Sequence, residues 1–340
     1  MVCTMTRKTL PLAAAAFVAL FCAPGPRQST PAQRDARAAH PYASAQPLGE
    51  PKIFAEGVLS TGDFESHPAF TPDGRTIYFL KNAPDFSFWT IVVSNFRNGR
   101  WQQPEVAPFS GRYSDADPFI TPDGSRLYFI STRPLDAKAG GGPKDLDIWM
   151  VERTASGWGE PQNLGAPVNS PGAEWFPTVA SDGTIYFGSD REGGRGRTDI
   201  YRARLAGGKY ERAENLGEEI NTPFNEFEPL IAPDQSFLIL MCGGRQDARG
   251  GFDLYLSHNR EGHWTKPVNL GDKINSPGNE YSPAISPDGK YFFWTSARGF
   301  AGKPPERRLN YRELSARLRG PRNGLGDIYQ IDLSALPLGR

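Results

Sequence analysis

Cysteine is scarce in this chain of 340 residues, which has only Cys3, Cys22 and Cys242, the first two within an N-terminal leader. A mature domain left with one thiol, Cys242, forms no intramolecular disulfide, so its core must stabilise it. Neither sign of charge is in excess, with 38 Lys and Arg against 38 Asp and Glu. No global field then draws the chain to nucleic acid or to an anionic membrane, and no nucleic-acid partner is expected. Several catalytic signatures are missing: there is no Gly-x-Ser-x-Gly elbow, no His-Glu-x-x-His and no Cys-x-x-Cys. The glycine run at 140–142 falls between strands with no helix to follow, so it is no phosphate cradle. Neither cofactor nor metal is expected, and no residue is assigned a catalytic role.

Long apolar runs are missing too, apart from residues 10–21, which follow Arg7 and Lys8 and are too short to span a bilayer comfortably. Residues 1–23 read as a secretory signal, which predicts a periplasmic or secreted protein with no transmembrane segment after processing. Cys22, at the end of the run, is a candidate lipid-anchor site, although Ala19, Leu20 and Phe21 match a lipobox poorly. Residues 24–49, rich in Pro, Ala, Gln and Arg without periodicity, read as a flexible linker.

Glycine and proline, by contrast, are plentiful at 37 and 31 residues, and they fall into a repeat. Five segments share one frame: ESHPAFTPDGRTIYF from Glu65, DADPFITPDGSRLYF from Asp115, EWFPTVASDGTIYF from Glu174, EFEPLIAPDQSFLIL from Glu226 and EYSPAISPDGKYFFW from Glu280. Each places a strand before a Pro-Asp-Gly type turn and another after it. A third strand follows in the Asp-Ile-Tyr segments from Asp147, Asp199, Asp253 and Asp327, and a fourth ends in Asn-Leu-Gly. The last repeat lacks a fourth strand, while EPKIF from Glu50 precedes the first repeat as EPQNL from Glu160 precedes the third. Residues 50–335 are therefore expected to form one all-β propeller of five four-stranded blades, closed by its own N-terminal strand, which removes an exposed edge. The expected oligomeric state is a monomer.

Pro-Asp-Gly, Tyr-Phe, Asp-Ile-Tyr and Asn-Leu-Gly at corresponding places resemble the WD40-like repeat of TolB-type propellers. The resemblance covers 51–333 and leaves six blades, as in TolB, as the alternative count. The fourth repeat departs from it at Gln235, where the turn glycine is lost, and the first lacks the strand Asp. It implies a platform that binds a protein, peptide or glycan.

All five repeats carry an acid three residues before the first-strand proline: Glu65, Asp115, Glu174, Glu226 and Glu280. They are expected as a ring at one mouth of the channel, held by Arg133, Arg191, Arg245 and Arg298 at the end of the second strand, with the third-strand Asp residues sharing those guanidinium groups. Two residues after each acid the repeat breaks down into His67, Asp117, Phe176, Glu228 and Ser282. By strand alternation these point to the same side as the acids. His67, Asp117 and Glu228 are thus a candidate ligand-binding set in the channel, and they support the alternative reading of a five-bladed glycoside hydrolase or related carbohydrate-active enzyme. An insertion in the last blade, 299–326, carries seven Lys and Arg, among them Arg307, Arg308 and Arg312, against Glu306 and Glu313. It reads as a lid over the same mouth, with a helix over 306–318, and its arginines are further candidate ligand contacts.

Overall fold

The computed structural model describes residues 40–135, 145–300 and 304–338. The signal segment, most of the linker, Lys303 and the glycine run at 140–142 lie outside the described residues. Among those residues, no helix is long and apolar enough to cross a membrane.

Five antiparallel sheets, each with four principal strands, follow one another along the chain. The first blade consists of Phe64–Phe70, Thr76–Asn82, Trp89–Arg97 and Glu105–Val106. The second is Asp115–Ile120, Arg126–Ser131, Asp147–Thr154 and Gln162–Asn163. The third is Glu174–Val179, Ile185–Ser189, Asp199–Ala203 and Glu214–Asn215. The fourth is Asn225–Ile231, Phe237–Gly243, Phe252–Arg260 and Val268–Asn269. The fifth has three strands of its own, Glu280–Ile285, Tyr291–Ser296 and Asp327–Asp332. Its fourth is Lys52–Ile53, with Lys52 opposite Gln330 and Ile53 opposite Tyr329. The first strand of each blade packs against those of its neighbours, the fifth returning to the first, so the ring is closed.

Local chemistry explains the hairpins. In the four turns that keep glycine, Gly74, Gly124, Gly183 and Gly289 take positive φ. Gln235 takes φ +59° in the fourth, at a cost of about 1 to 2 kcal/mol for a residue with a Cβ. Its amide partly offsets this, accepting from the Tyr186 hydroxyl at 2.7 Å and donating to Asp182 at 2.8 Å in the preceding blade.

The closing segment reaches further back than the sequence pattern indicated. Residues 40–49, expected as part of the linker, belong to the folded unit. Tyr42 is buried against Phe70, Tyr291 and Phe293, and Leu48 exchanges hydrogen bonds with Asp332. Two apolar side chains in an otherwise polar stretch gave too weak a periodicity to show this.

The insertion forms the helix Tyr311–Arg319, starting later than expected because Asn310 caps it in a capping box with Glu313. None of its residues is buried. It leans on the loop leading into the first blade: a Cβ on Gly62 would lie 1.7 Å from the Arg319 carbonyl oxygen, and Asn323 donates to the Gly62 carbonyl at 2.9 Å.

Candidate functional site

The five repeated acids do not face one another across the channel. All are fully buried and turned into the blades, where each accepts from a Ser or Thr hydroxyl four or five residues earlier: Thr61, Ser110, Ser170, Thr222 and Ser276. Arg133, Arg191 and Arg245 pair with Asp115, Glu174 and Glu226 at 2.7, 2.9 and 3.4 Å. Lys81 pairs with Glu65 at 2.7 Å, and Arg298 instead donates to the Ile274 carbonyl at 2.7 Å. The guanidinium groups also lie over third-strand aromatic rings: Arg133 over Trp149, Arg191 over Tyr201, Arg245 over Tyr255 and Arg298 over Tyr329. Burial pushes the Glu174 carboxyl up to about 7, against the pull of the Ser170 hydroxyl and Arg191. The repeated acids are thus held within the blades by hydroxyls and, in four of the five, by an ion pair.

The third-strand Asp residues were expected to share those guanidinium groups, and they do not. Asp147, Asp199 and Asp253 instead accept from the Asn-Leu-Gly asparagines Asn163, Asn215 and Asn269, at 2.7 to 2.8 Å. These asparagines sit on the fourth strand opposite Trp149, Tyr201 and Tyr255, two residues after each Asp.

The side chains two residues further on behave differently, for a reason that alternation does not capture. His67, Asp117, Phe176, Glu228 and Ser282 have φ of +56°, +55°, +43°, +51° and +55°, and the ladder register shifts at each of them. Every first strand thus carries a β-bulge at this point, which re-aims the side chain. A bulged residue no longer shares a face with the residue two before it, so the acid turns into the blade while the bulge residue reaches the axis. Five non-glycine residues in the left-handed region each cost on the order of 1 kcal/mol, and they occur together at one level of the channel.

There the bulge residues tie all five blades together. His67 Nε2, from the first blade, lies 2.9 Å from Asp117 Oδ1 of the second and 3.2 Å from Glu228 Oε1 of the fourth. The other Asp117 oxygen accepts from the Phe176 amide of the third blade at 2.9 Å. The other Glu228 oxygen accepts from the Ser282 amide of the fifth. His67 Nδ1 is 2.7 Å from the Ser66 hydroxyl. Burial opposes a charge on His67, but the two carboxylates prevail and push its pKa up to about 10, so the imidazolium form is the resident one. Both carboxylates reach the same nitrogen, so their nearest oxygens lie no more than about 6 Å apart. Among the described residues, no group of three or more His, Cys, Asp or Glu is arranged to hold a metal ion.

Above this floor lies a cavity of about 440 Å³, lined by His67, Asp117 and Glu228 and walled by Phe86, Trp89, Trp175, Phe227, Phe252 and Tyr281. The rings form a belt: Trp89 to Trp175 at 6.2 Å, Trp175 to Phe227 at 6.3 Å and Phe227 to Phe252 at 6.1 Å. Below the floor a space of about 80 Å³ is lined by the strand prolines Pro68, Pro118 and Pro283, and His67 borders both. The cavity opens where the first strands begin, the mouth expected to be functional.

Sequence reasoning found the floor but missed the walls. Trp175, Phe227 and Tyr281 occupy the position directly after the repeated acid, where the first two blades have Ser66 and Ala116. The signal was available as a second break in the repeat, and Trp89 of the third strand of the first blade meets Trp175 at 6.2 Å. Arg307, Arg308 and Arg312 are not among the residues lining the cavity. Arg307 pairs with Glu313 within the insertion at 2.6 Å, and no described residue of the insertion lines the cavity.

No protein-family model and no curated protein matches this chain. Among solved structures, it is similar to an α-L-arabinofuranosidase from Lactobacillus brevis at 12% identity and a TM-score of 0.48, over 82% of this chain and 92% of that one. It is similar to the catalytic domain of a GH62 α-L-arabinofuranosidase from Coprinopsis cinerea at 11% identity and a TM-score of 0.43, over 84% and 95%. It is also similar to a protein of unknown function from Dyadobacter fermentans at 15% identity and a TM-score of 0.42, over 84% and 86%. Likeness at this level carries no argument about activity, and the five-bladed architecture stands on the chain's own sheets.

Proposed function

We propose that the protein is an exported carbohydrate-recognition propeller whose mouth cavity receives a sugar unit. The observation that supports this reading is the aromatic belt standing over an unrepeated polar floor. Sugar rings present C–H faces that stack on Trp and Tyr, and hydroxyls that bond to carboxylates. Neither kind of contact alone would suit the other half of this cavity. The repeated Arg and acid pairs are absent from its lining, so the propeller frame and the recognition surface use different residues. The reading is tested by titrating short neutral and charged oligosaccharides into the protein while following Trp89 and Trp175 fluorescence. Lack of binding at millimolar concentration by any saccharide, or binding that survives Trp175→Ala unchanged, would refute it.

A second reading, glycoside hydrolysis, is favoured by one specific feature: Asp117 and Glu228 are an unrepeated carboxylate pair at the base of the cavity. Their separation of no more than about 6 Å suits a retaining pair, for which about 5 to 5.5 Å is usual, better than an inverting one. Hydrolysis would require one of them to hold a proton and one oxygen of each to face the substrate. His67 and the Phe176 and Ser282 amides hold these oxygens in the free protein. Binding without turnover is therefore the reading preferred. Release of reducing sugar from an oligosaccharide, lost in both Asp117→Asn and Glu228→Gln, would reverse that preference.

A further inference from the structure

The charge balance of the cavity narrows the ligand further. Its lining holds two carboxylates, Asp117 and Glu228, and one cation, His67, whose single Nε2–H is shared between them. Among the described residues, no Lys or Arg lines the cavity. The floor therefore carries one negative charge more than it neutralises, beneath a belt of ring faces that themselves attract cations. An anion entering would meet repulsion from the floor, and a neutral ligand would leave that charge uncompensated.

A second, independent set of atoms lies in the same walls. The Tyr281 hydroxyl, Asn82 Oδ1 and Trp89 Nε1 are buried and have no hydrogen-bond partner among the described residues, and all three residues line the cavity. A buried polar group left without a partner costs about 1 to 3 kcal/mol, so such groups are usually satisfied by something. Asn82 Oδ1 requires a donor, Trp89 Nε1 requires an acceptor, and the Tyr281 hydroxyl can take either. Burial first, and then the nearby Glu228 carboxylate, push the Tyr281 hydroxyl well above the usual tyrosine range. Its hydroxyl therefore stays protonated.

From these observations we infer that the cavity selects a ligand bearing a positively charged amino group, and, resting on the carbohydrate reading above, that its occupant is a sugar unit with a free amine. The ammonium donates toward Glu228 and Asn82 Oδ1. A sugar hydroxyl or ring oxygen accepts from Trp89 Nε1, and the C–H face of the ring lies on Trp175 or Phe227. An N-acetyl group in place of the amine would remove the charge and add bulk against the apolar wall.

The test is calorimetric titration of the full chain at about pH 6, where a sugar amine is protonated. Three trisaccharide probes are compared: a glucosamine trimer, its N-acetylated counterpart and a neutral glucose trimer. Choline, with its isosteric neutral alcohol, serves as a fourth probe. The glucosamine trimer is expected to bind at least tenfold more tightly than either other sugar, and raising salt from 50 to 500 mM is expected to weaken it several-fold. Glu228→Gln is expected to abolish the preference. Should that variant fail to fold, Trp175→Leu is expected to weaken all three sugars in a fully folded protein. Equal or tighter binding of the acetylated or neutral trimer would overturn the inference while leaving the carbohydrate reading intact. Binding of choline over its neutral isostere with no sugar bound would overturn the carbohydrate reading and retain the charge selection. No binding by any probe would overturn both.

Discussion

Removing the imidazole of His67 tests the floor of the channel directly. In the native protein its pKa is pushed up to about 10 from an ordinary value of 6.5, and the ring is buried. At about 1.4 kcal/mol for each tenfold in affinity for the proton, the charged ring contributes roughly 5 kcal/mol in its pocket. Because the folded value is raised, this contribution is complete below about pH 6.5 and is lost as pH climbs through 10. His67→Gln keeps the bulk but leaves Asp117 and Glu228 facing each other without a counter-ion. Breaking a buried pair in this way costs about 3 to 5 kcal/mol, in agreement with the first figure. Urea unfolding followed by tryptophan fluorescence at pH 6.5, 8 and 9.5 is the assay. The variant is expected to be less stable by 3 to 5 kcal/mol at pH 6.5, and the gap is expected to shrink toward pH 9.5. Adding Asp117→Asn and Glu228→Gln to His67→Gln should recover part of the loss, since no uncompensated charge then remains. A cost below about 1 kcal/mol at pH 6.5, or a gap that does not change with pH, would refute the bridging role.

Other perturbations probe other parts of the argument. Burial holds the Asp327 carboxyl at about 7, so the folded state keeps its proton longer than the unfolded one and stability falls as pH rises from about 4 through 7; Asp327→Asn should flatten that slope and be the more stable protein at pH 8, by on the order of 2 kcal/mol in urea titrations. Phe54 follows the closing strand and meets Phe293, Phe70 and Trp101 at 5.1 to 5.9 Å, so Phe54→Ala should cost about 3 to 5 kcal/mol, whereas an unchanged melting temperature would mean that the closing segment does not hold the ring. Ser282 is strained at φ +55° and only its amide is used, by Glu228, so Ser282→Gly should be neutral or stabilising by up to about 1 kcal/mol in calorimetry. Replacing Arg307, Arg308 and Arg312 together by Ser should leave cavity affinity unchanged within about twofold, and a larger fall would place the insertion over the ligand.

The sequence alone determined the blade count, the order of strands and the closure by residues near Ile53. Those features follow from local rules: turn residues fix hairpins, alternation fixes which faces are apolar, and a repeat missing one strand must find it elsewhere. It also separated the repeated acids and arginines from the unrepeated set, because a property needed once is not copied five times. Only the tertiary structure decided where these side chains point. The bulge at His67 and its four equivalents is a property of φ, which no hydrophobic pattern reports, and it turned the acids into the blades and the unrepeated residues to the axis. Tertiary contact likewise decided that Tyr42 and Leu48 belong to the ring. It brought Trp89 of the first blade against Trp175 of the third, a meeting that depends on how the ring closes and that no spacing in the sequence reports.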